Sequence, residues 1–278
     1  MRGVLKPPYL INRSSAGGAG CVSVTADVNA GVVEIAIRGH WTPALRMQAW
    51  AAVSKCFAEC PRAVVVDLHD LDDPLAASAP AWWTMGMTGV RMAPPVSVAV
   101  CLAPASALAA RLNRLGAKRY LPVFATMTEA RRAVASRLPL TERVQASLAA
   151  HPDALNLAGD LLAAACQAWQ LPGLLHRTSL IMAELVGNAV EHAGTDILVT
   201  ASRRGSGIHL AVNDHDPRLP VLLDPEQPEV RGHGLRSVHA AATVWGAMPT
   251  DTGKVVWALV RPDPAPPSAT TGVPPSRG

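Results

Sequence analysis

The chain of 278 residues is poor in aromatic and charged side chains, which make up 4% and 17% of it. It also lacks an unbroken apolar stretch of about 18 residues, the minimum for a transmembrane helix. The longest candidate, from Val96 to Ala110, is interrupted by Pro104. Near the N-terminus, Pro7 and Pro8 stand where a signal peptide would be apolar. These absences predict a cytoplasmic protein that does not enter a membrane.

A concentrated positive charge is missing as well. The 25 Lys and Arg residues face 21 Asp and Glu residues, so the formal net charge is only +4. The cations are spread along the chain, whereas nucleic-acid binders concentrate them on one face. Direct binding to nucleic acid is therefore not expected.

Cysteine is scarce and odd in number, with five residues, which argues against a disulfide framework. Cys56 and Cys60 lie four positions apart on a predicted helix, and His69 is the one further metal ligand nearby. A structural metal site needs about four ligands. Two buried thiols are therefore the favoured interpretation, with a metal site as the alternative.

Hydrophobic residues make up 49% of the chain, enough for a sizeable core, and they fall into two blocks. In the first block, residues 21–138, predicted strands alternate with predicted helices. Residues 31–38 alternate apolar and polar side chains, while residues 63–68 are continuously apolar, as in a strand buried on both faces. A helix over residues 43–60 lies between them. This order predicts an α/β layer with a mostly parallel sheet.

The second block, residues 139–262, begins with two helices at residues 153–169 and 177–192. Three strands follow, at residues 197–202, 208–214 and 255–260. Helices followed by hairpin-connected strands predict an α+β arrangement. Both chain ends, residues 1–20 and 263–278, are rich in Ser, Gly or Pro and are predicted to be disordered tails.

Three polar residues recur every four positions in the second block: Glu184, Asn188 and His192. At that spacing they project from one face of a helix. An Asn carbonyl oxygen beside a carboxylate suits Mg²⁺ that also holds phosphates, and the carboxylate can accept a hydroxyl proton. A solvated polar stripe explains the spacing equally well, so the neighbouring motifs carry the argument.

Two such motifs follow in the sequence. Asp214 ends a predicted strand, where its carboxylate can accept a hydrogen bond from a base. Further on, Gly232-His233-Gly234-Leu235 opens a helix, whose first N–H groups can bind phosphate oxygens. A Gly-X-Gly alone is usually a turn. In this order, however, the motifs indicate a nucleotide site.

Residues 140–262 resemble the ATPase domain shared by histidine kinases and DNA gyrase, the Bergerat or GHKL fold. They are most similar to its bacterial anti-sigma-factor serine-kinase branch. The resemblance implies that Asn188 binds Mg²⁺, that Glu184 is the general base and that Asp214 accepts from the adenine amino group of ATP. Residues 215–231 would be the lid over the nucleotide. The phosphate-binding residues would be Gly232, His233, Gly234 and Leu235.

Three positions depart from that family's pattern. The family's glycines two and four residues after the aspartate are Asp216 and Arg218 here. His233 stands where this branch commonly has an arginine, which removes a permanent charge from the phosphate end.

Residues 31–138 resemble a STAS domain, the fold of anti-sigma-factor antagonists. In that family, the strand matched by residues 63–68 leads to a loop that presents a phosphorylatable serine or threonine. Here the corresponding residues 75–78 read Leu-Ala-Ala-Ser, with alanines at the acceptor positions. Ser78 is the adjacent hydroxyl, and we expect it to cap the helix that contains Pro80 rather than to accept phosphate.

Two functions therefore stay open. The chain is either an ATP-dependent serine kinase that controls a sigma factor or a separate STAS-domain antagonist, or a non-catalytic regulator of the same pathway with a degenerate nucleotide site. A homodimer is an open alternative to a monomer in both cases.

Overall fold

The computed structural model describes residues 8–11, 20–137, 142–221 and 233–263. The strands within these ranges are β1 (Tyr9–Leu10), β2 (Gly20–Asp27), β3 (Val32–His40), β4 (Ala63–Asp67), β5 (Leu71–Asp72), β6 (Ser97–Cys101), β7 (Val123–Phe124), β8 (Arg143–Leu148), β9 (Ile197–Arg204), β10 (Gly207–Asp214), β11 (Val244–Pro249) and β12 (Lys254–Val260). The α-helices are α1 (Pro43–Ala58), α2 (Ala79–Arg91), α3 (Ala107–Arg114), α4 (Met127–Arg137), α5 (Asp153–Ala168), α6 (Leu175–His192) and α7 (His233–Ala241). Across these described ranges, every helix is too short or too polar to cross a lipid bilayer.

The first sheet has the strand order β2-β3-β4-β6-β7, with β5 beside β3. Strands β3, β4, β6 and β7 are parallel, and β2 joins the edge antiparallel to β3. Residues 63–66 in β4 are fully buried, as expected of a central strand covered on both faces. The α/β prediction for this block is confirmed.

The second sheet has the order β1-β11-β12-β10-β9-β8. It is antiparallel except for the short β1, which runs parallel to β11. Helices α5, α6 and α7 pack on one face of this sheet through a buried apolar cluster. Representative members of this cluster are Leu162, Ile181, Leu185, Leu210 and Val238. The molecule is therefore a mixed α/β protein with two mixed sheets.

Part of the predicted N-terminal tail is a strand. Tyr9 lies opposite Gly246 in the β1–β11 pair, and the Ile11 N–H donates to the Ala247 carbonyl at 3.0 Å. The prediction that all of residues 1–20 are disordered is wrong at these positions, because a two-residue strand is too short to show a periodic pattern. The other predicted tail residues lie outside the described ranges, apart from Pro8, Gly20 and Asp263.

The two sheets pack against each other. On the face of the second sheet opposite its helices, Ala211, Met248, Val255 and Trp257 share a buried cluster with residues of β2, β3 and α1. Trp257 has no exposed surface. Burial of this apolar area is the main force that joins the sheets.

Hydrogen bonds reinforce this contact. Arg204, which is buried in β9, donates from Nε to the carbonyl of Cys60 at 3.1 Å. Lys55 in α1 donates from Nζ to the carbonyl of Leu10 at 2.7 Å. These bonds satisfy backbone carbonyls that the packing of the sheets removes from water.

A pair of titratable side chains lies inside the contact between the sheets. Glu59, just after α1, has Oε1 at 3.9 Å from Nε2 of His209 in β10. Burial raises the pKa of Glu59 to about 7, against the attraction of Arg204 and Arg143. Burial also lowers the pKa of His209 well below its usual value, in the same sense as those two cations. A cavity of about 30 Å³ borders both side chains and has room for a water molecule.

These shifts predict opposite pH responses of two variants. Glu59 contributes stability that is fully present below its unfolded pKa of 4.5 and is lost as the pH rises through 7. His209 contributes stability present above 6.5 and lost as the pH falls. As the pH rises from about 5 to 6.5, we expect the unfolding free energy of His209→Gln minus that of the unmodified protein to fall, by at most about 1.4 kcal/mol per pH unit. The same difference for Glu59→Gln should rise.

Urea unfolding of the three proteins at several pH values gives the two differences in unfolding free energy as a function of pH. The other titrating groups contribute equally to all three proteins and cancel in these differences. Differences that change with pH in the same direction for the two variants would contradict the opposite pKa shifts of Glu59 and His209.

Candidate functional site

Helix α6 carries the predicted metal and base residues at the edge of its buried face. Leu185, Val186 and Ala189 are buried against the sheet, whereas Glu184 and Asn188 are half-buried. The repeat of four residues places the two polar groups on one side of the helix, next to its apolar stripe. His192, the third member of the sequence pattern, is exposed at the end of the helix.

The first turn of α7 lies against Glu184. A Cβ atom at Gly234 would collide with Oε2 of Glu184 and lie 3.8 Å from Nδ2 of Asn188, so a side chain there would displace the Glu184 carboxylate. The packing of α6 against α7 therefore brings Glu184, Asn188 and Gly234 together. The glycine allows close approach, and the helix start supplies N–H groups for an anion.

The other predicted phosphate-binding residues, Gly232, His233 and Leu235, are only partly covered by the described ranges. Leu235 is half-buried and packs against the apolar cluster under α7. His233 begins α7, and its side chain is not described. Gly232 and most of the predicted lid, residues 222–231, lie outside the described ranges. Residues 215–221 form neither helix nor strand.

Asp214 ends β10 as a buried carboxylate in an ion pair. Its Oδ1 is 3.0 Å from Nζ of Lys254, the residue directly opposite in β12. The backbone N–H of Asp216 also donates to this oxygen, at 2.9 Å. Burial raises the pKa of Asp214, and the hydrogen bond from Lys254 opposes that rise.

Asp216 and Arg218, which replace glycines of the family pattern, bind each other. Arg218 donates from Nε to Oδ1 of Asp216 at 2.9 Å and from its backbone N–H at 3.1 Å. The Arg218 hydrogen bond holds the pKa of Asp216 at about 2. The loop after β10 therefore gets its shape from side-chain contacts instead of from glycine flexibility.

A tight turn closes the sheet beside Asp214. Thr250 Oγ1 accepts from the Gly253 N–H at 3.1 Å and from Nδ2 of Asn213 at 3.2 Å. A side chain at Gly253 would collide with the Asp214 carbonyl. The sequence patterns assigned no role to Thr250 or Lys254. The available signal was a lysine at the start of an otherwise apolar strand.

The end of β10 also contacts the loop that follows α6. The His215 N–H donates to Oγ1 of Thr195 at 3.4 Å. The strand that ends in Asp214 thus approaches the C-terminal end of the helix that carries Glu184 and Asn188. An amide oxygen, two carboxylates and a helix start with no side chain in the way suit a nucleotide with its Mg²⁺ ion.

Ser78 in the first block does not cap α2 with its side chain. Its hydroxyl donates to Oδ2 of Asp73 at 2.5 Å, and Ser78 is fully buried. Asp73 also accepts from the backbone N–H groups of Ala77 and Ser78, each at 2.8 Å. The predicted capping role of the Ser78 side chain is therefore wrong, because its hydroxyl is held by the Asp73 carboxylate and makes no hydrogen bond to the first turn of α2.

The loop before α2 instead presents an apolar side chain. Leu75 is 82% exposed, while Arg111 donates from Nη1 to the carbonyls of Leu75 and Ala76 at 3.4 and 3.1 Å. Ala76 has a positive φ of 52°, a conformation that is costly for a residue with a side chain. Within residues 73–78 there is no exposed hydroxyl to accept phosphate.

The alternative metal site at Cys56, Cys60 and His69 has no support from the contacts. Both thiols are buried, and burial raises their pKa values. His69 donates to Oδ1 of Asp67 at 2.7 Å and contacts the Ala125 carbonyl through Nε2 at 2.9 Å. Over the part of the chain that the structure describes, no three His, Cys, Asp or Glu side chains form a metal-binding group.

Comparisons with known proteins add little to this picture. No protein-family model matches the sequence, and no curated protein matches it. Among solved structures, the chain is similar to an anti-sigma factor antagonist from Mycobacterium paratuberculosis. The two share 19% sequence identity over 47% of this chain and 98% of that chain, with a TM-score of 0.32. At this TM-score, the similarity assigns no function to the chain.

Proposed function

We propose that the protein is an ATP-binding regulator of the anti-sigma-factor serine-kinase type, which acts on a sigma factor or a separate STAS-domain antagonist by partner switching. The observation that carries the proposal is the contact of Gly234, in the first turn of α7, with Glu184 and Asn188 of α6. A nucleotide site needs a metal ligand, an acceptor for a proton and an unobstructed helix start in one place. The sequence motifs that resemble this kinase branch fall at these three elements.

Each residue has a role that its chemistry permits. Asn188 would offer its amide oxygen to Mg²⁺, and the first N–H groups of α7 would hold phosphate oxygens. ATP would supply the phosphoryl group, and its metal ion would neutralise the charge on the phosphates. Glu184 would take the proton from the serine hydroxyl that receives the phosphate. That serine belongs to another protein in this proposal, because loop 73–78 presents none.

Titration of Mg²⁺-ATP into the protein by calorimetry tests the site. We expect Asn188→Ala to weaken binding at least about tenfold, since a metal ligand is lost and about 1.4 kcal/mol of binding free energy corresponds to that factor. Asn156→Ala is the matched control, because Asn156 is an exposed residue on α5 in the same half of the molecule. Equal affinities of the two variants, or no heat from the unmodified protein, would refute an ATP site at Asn188.

A second candidate function is a non-catalytic regulator that uses the same surfaces without phosphate transfer. The ion pair between Asp216 and Arg218 supports it, because these two residues stand where the family pattern has glycines. Binding of Mg²⁺-ATP without transfer to a STAS-domain protein that retains a serine acceptor would favour this function over the kinase.

A further inference from the structure

Lys254 is a buried cation in a strand that is otherwise apolar. All residues of β12 are buried, and the side chain of Lys254 is only 8% exposed. A buried ammonium group is unfavourable unless it is paired and hydrogen-bonded. Its position in the fold therefore needs an explanation beyond packing.

The Lys254 ammonium group bridges two carboxylates at the end of β10. Nζ lies 3.0 Å from Oδ1 of Asp214, 3.1 Å from the carbonyl oxygen of Asp216 and 3.5 Å from Oδ2 of Asp216. The contacts at 3.0 and 3.1 Å are hydrogen bonds, and the contact at 3.5 Å is an ion pair. The Lys254 ammonium group is therefore directed at Asp214 and Asp216.

The same contacts orient Asp214. Within the described residues, both hydrogen bonds that its carboxylate accepts, from Lys254 Nζ and from the Asp216 N–H, fall on Oδ1. Oδ2 is left for an incoming donor. Because an ionised carboxylate can only accept hydrogen bonds, a base with an amino group at this point would be bound, and a base with a carbonyl group would be rejected.

We propose that Lys254 is the positioning residue of the base site, which keeps Asp214 ionised so that the site selects a purine with an amino group at C6 over one with a carbonyl group there. The inference rests on the proposed function, since it assumes a nucleotide at this site. It adds a role for Lys254 to the contact between Asp214 and adenine that the family resemblance implies.

Protonation of Asp214 is the physical basis of the specificity. Burial already raises its pKa, and Lys254 opposes the rise. The other charged or titratable groups at this position are Asp216, which raises that pKa, Arg218, which neutralises Asp216, and the adjacent His215. Without Lys254, the buried carboxyl group keeps its proton to higher pH and can then donate to a carbonyl oxygen.

The test compares ATP with inosine triphosphate, in which a carbonyl group replaces the C6 amino group. We expect the unmodified protein to prefer Mg²⁺-ATP by about 100-fold or more, with little change between about pH 6 and 8. For Lys254→Met the preference should fall at least about tenfold at neutral pH and recover as the pH rises. Lys254→Arg, which retains a cation, should keep most of the preference.

A second variant keeps the test decisive if Lys254→Met fails to fold. Lys254→Met combined with Asp214→Asn replaces the ion pair with neutral groups of similar size. It should fold and bind both nucleotides with little preference at every pH. Circular dichroism checks the fold of each variant before binding is measured.

A ligand-free measurement separates this inference from the proposed function. The thermal midpoint of Lys254→Met should fall more steeply between about pH 4 and 7 than that of the unmodified protein, because a raised folded pKa of Asp214 costs stability as the pH rises. The double variant should lack this difference. If ATP binds but Lys254→Met keeps the full preference at all pH values, the role of Lys254 is refuted and the proposed function stands. If neither nucleotide binds the unmodified protein, the proposed function and the role of Lys254 in base selection are both refuted, even when the thermal midpoints vary with pH as expected.

Discussion

Glu184→Gln should lower the rate of phosphate transfer from Mg²⁺-ATP to a serine-bearing STAS-domain protein by about 100- to 10,000-fold, the usual contribution of a general base. The amide has nearly the shape of the carboxylate, so it can stay against Gly234, where Oε2 of Glu184 now lies. It cannot accept the hydroxyl proton as a base. ATP affinity should therefore change much less than the transfer rate.

Glu191→Gln is the matched control for this experiment. Glu191 is an exposed residue on the same helix, so its substitution changes the net charge equally and leaves the site alone. Transfer is followed with radiolabelled ATP under single-turnover conditions, which separates chemistry from product release. Equal rates for the two variants would remove Glu184 from the base role. Absence of transfer by the unmodified protein would leave the non-catalytic regulator as the function.

Trp257→Ala should destabilise the protein by about 3 to 5 kcal/mol, the typical cost of removing a large aromatic side chain from a core. Trp257 is fully buried and stacks with Tyr9 and His209 at ring-centroid distances of 6.4 and 6.0 Å. It also belongs to the cluster that joins the two sheets. The loss should therefore reach both sheets, and unfolding should remain one cooperative transition at a lower temperature.

Trp83→Ala provides the comparison, because Trp83 lies on α2 with 37% of its surface exposed. We expect it to cost less than about 1 kcal/mol. Calorimetric scans of the three proteins measure the midpoints and the number of transitions. A separate transition that keeps its temperature in Trp257→Ala would show that the sheets unfold independently, in conflict with a shared core.

Features that depend on near neighbours in the chain were accessible from the sequence. The spacing of Glu184 and Asn188 places them on one helical side because successive helix turns are about 3.6 residues apart. The apolar run at residues 63–66 identifies a central strand, since burial on both faces leaves no polar alternation.

Features that join distant segments were missed. Lys254 lies 40 residues from Asp214 in sequence, and their contact arises only because β10 and β12 pair in register. The contact of Lys254 with Asp214, on which the expected specificity depends, could therefore not be predicted from a motif.

The scarcity of aromatic and charged residues, the periodic helices and the order of strands were enough to predict a mixed α/β protein with a nucleotide-site pattern in its second block. The packing of the two sheets through Trp257, the burial of Glu59 beside His209, and the ion pair of Lys254 with Asp214 emerged only in three dimensions. Local patterns report which face of an element is buried, because a side chain's direction follows from its backbone position. They do not report what covers that face, because burial and pairing depend on the whole chain.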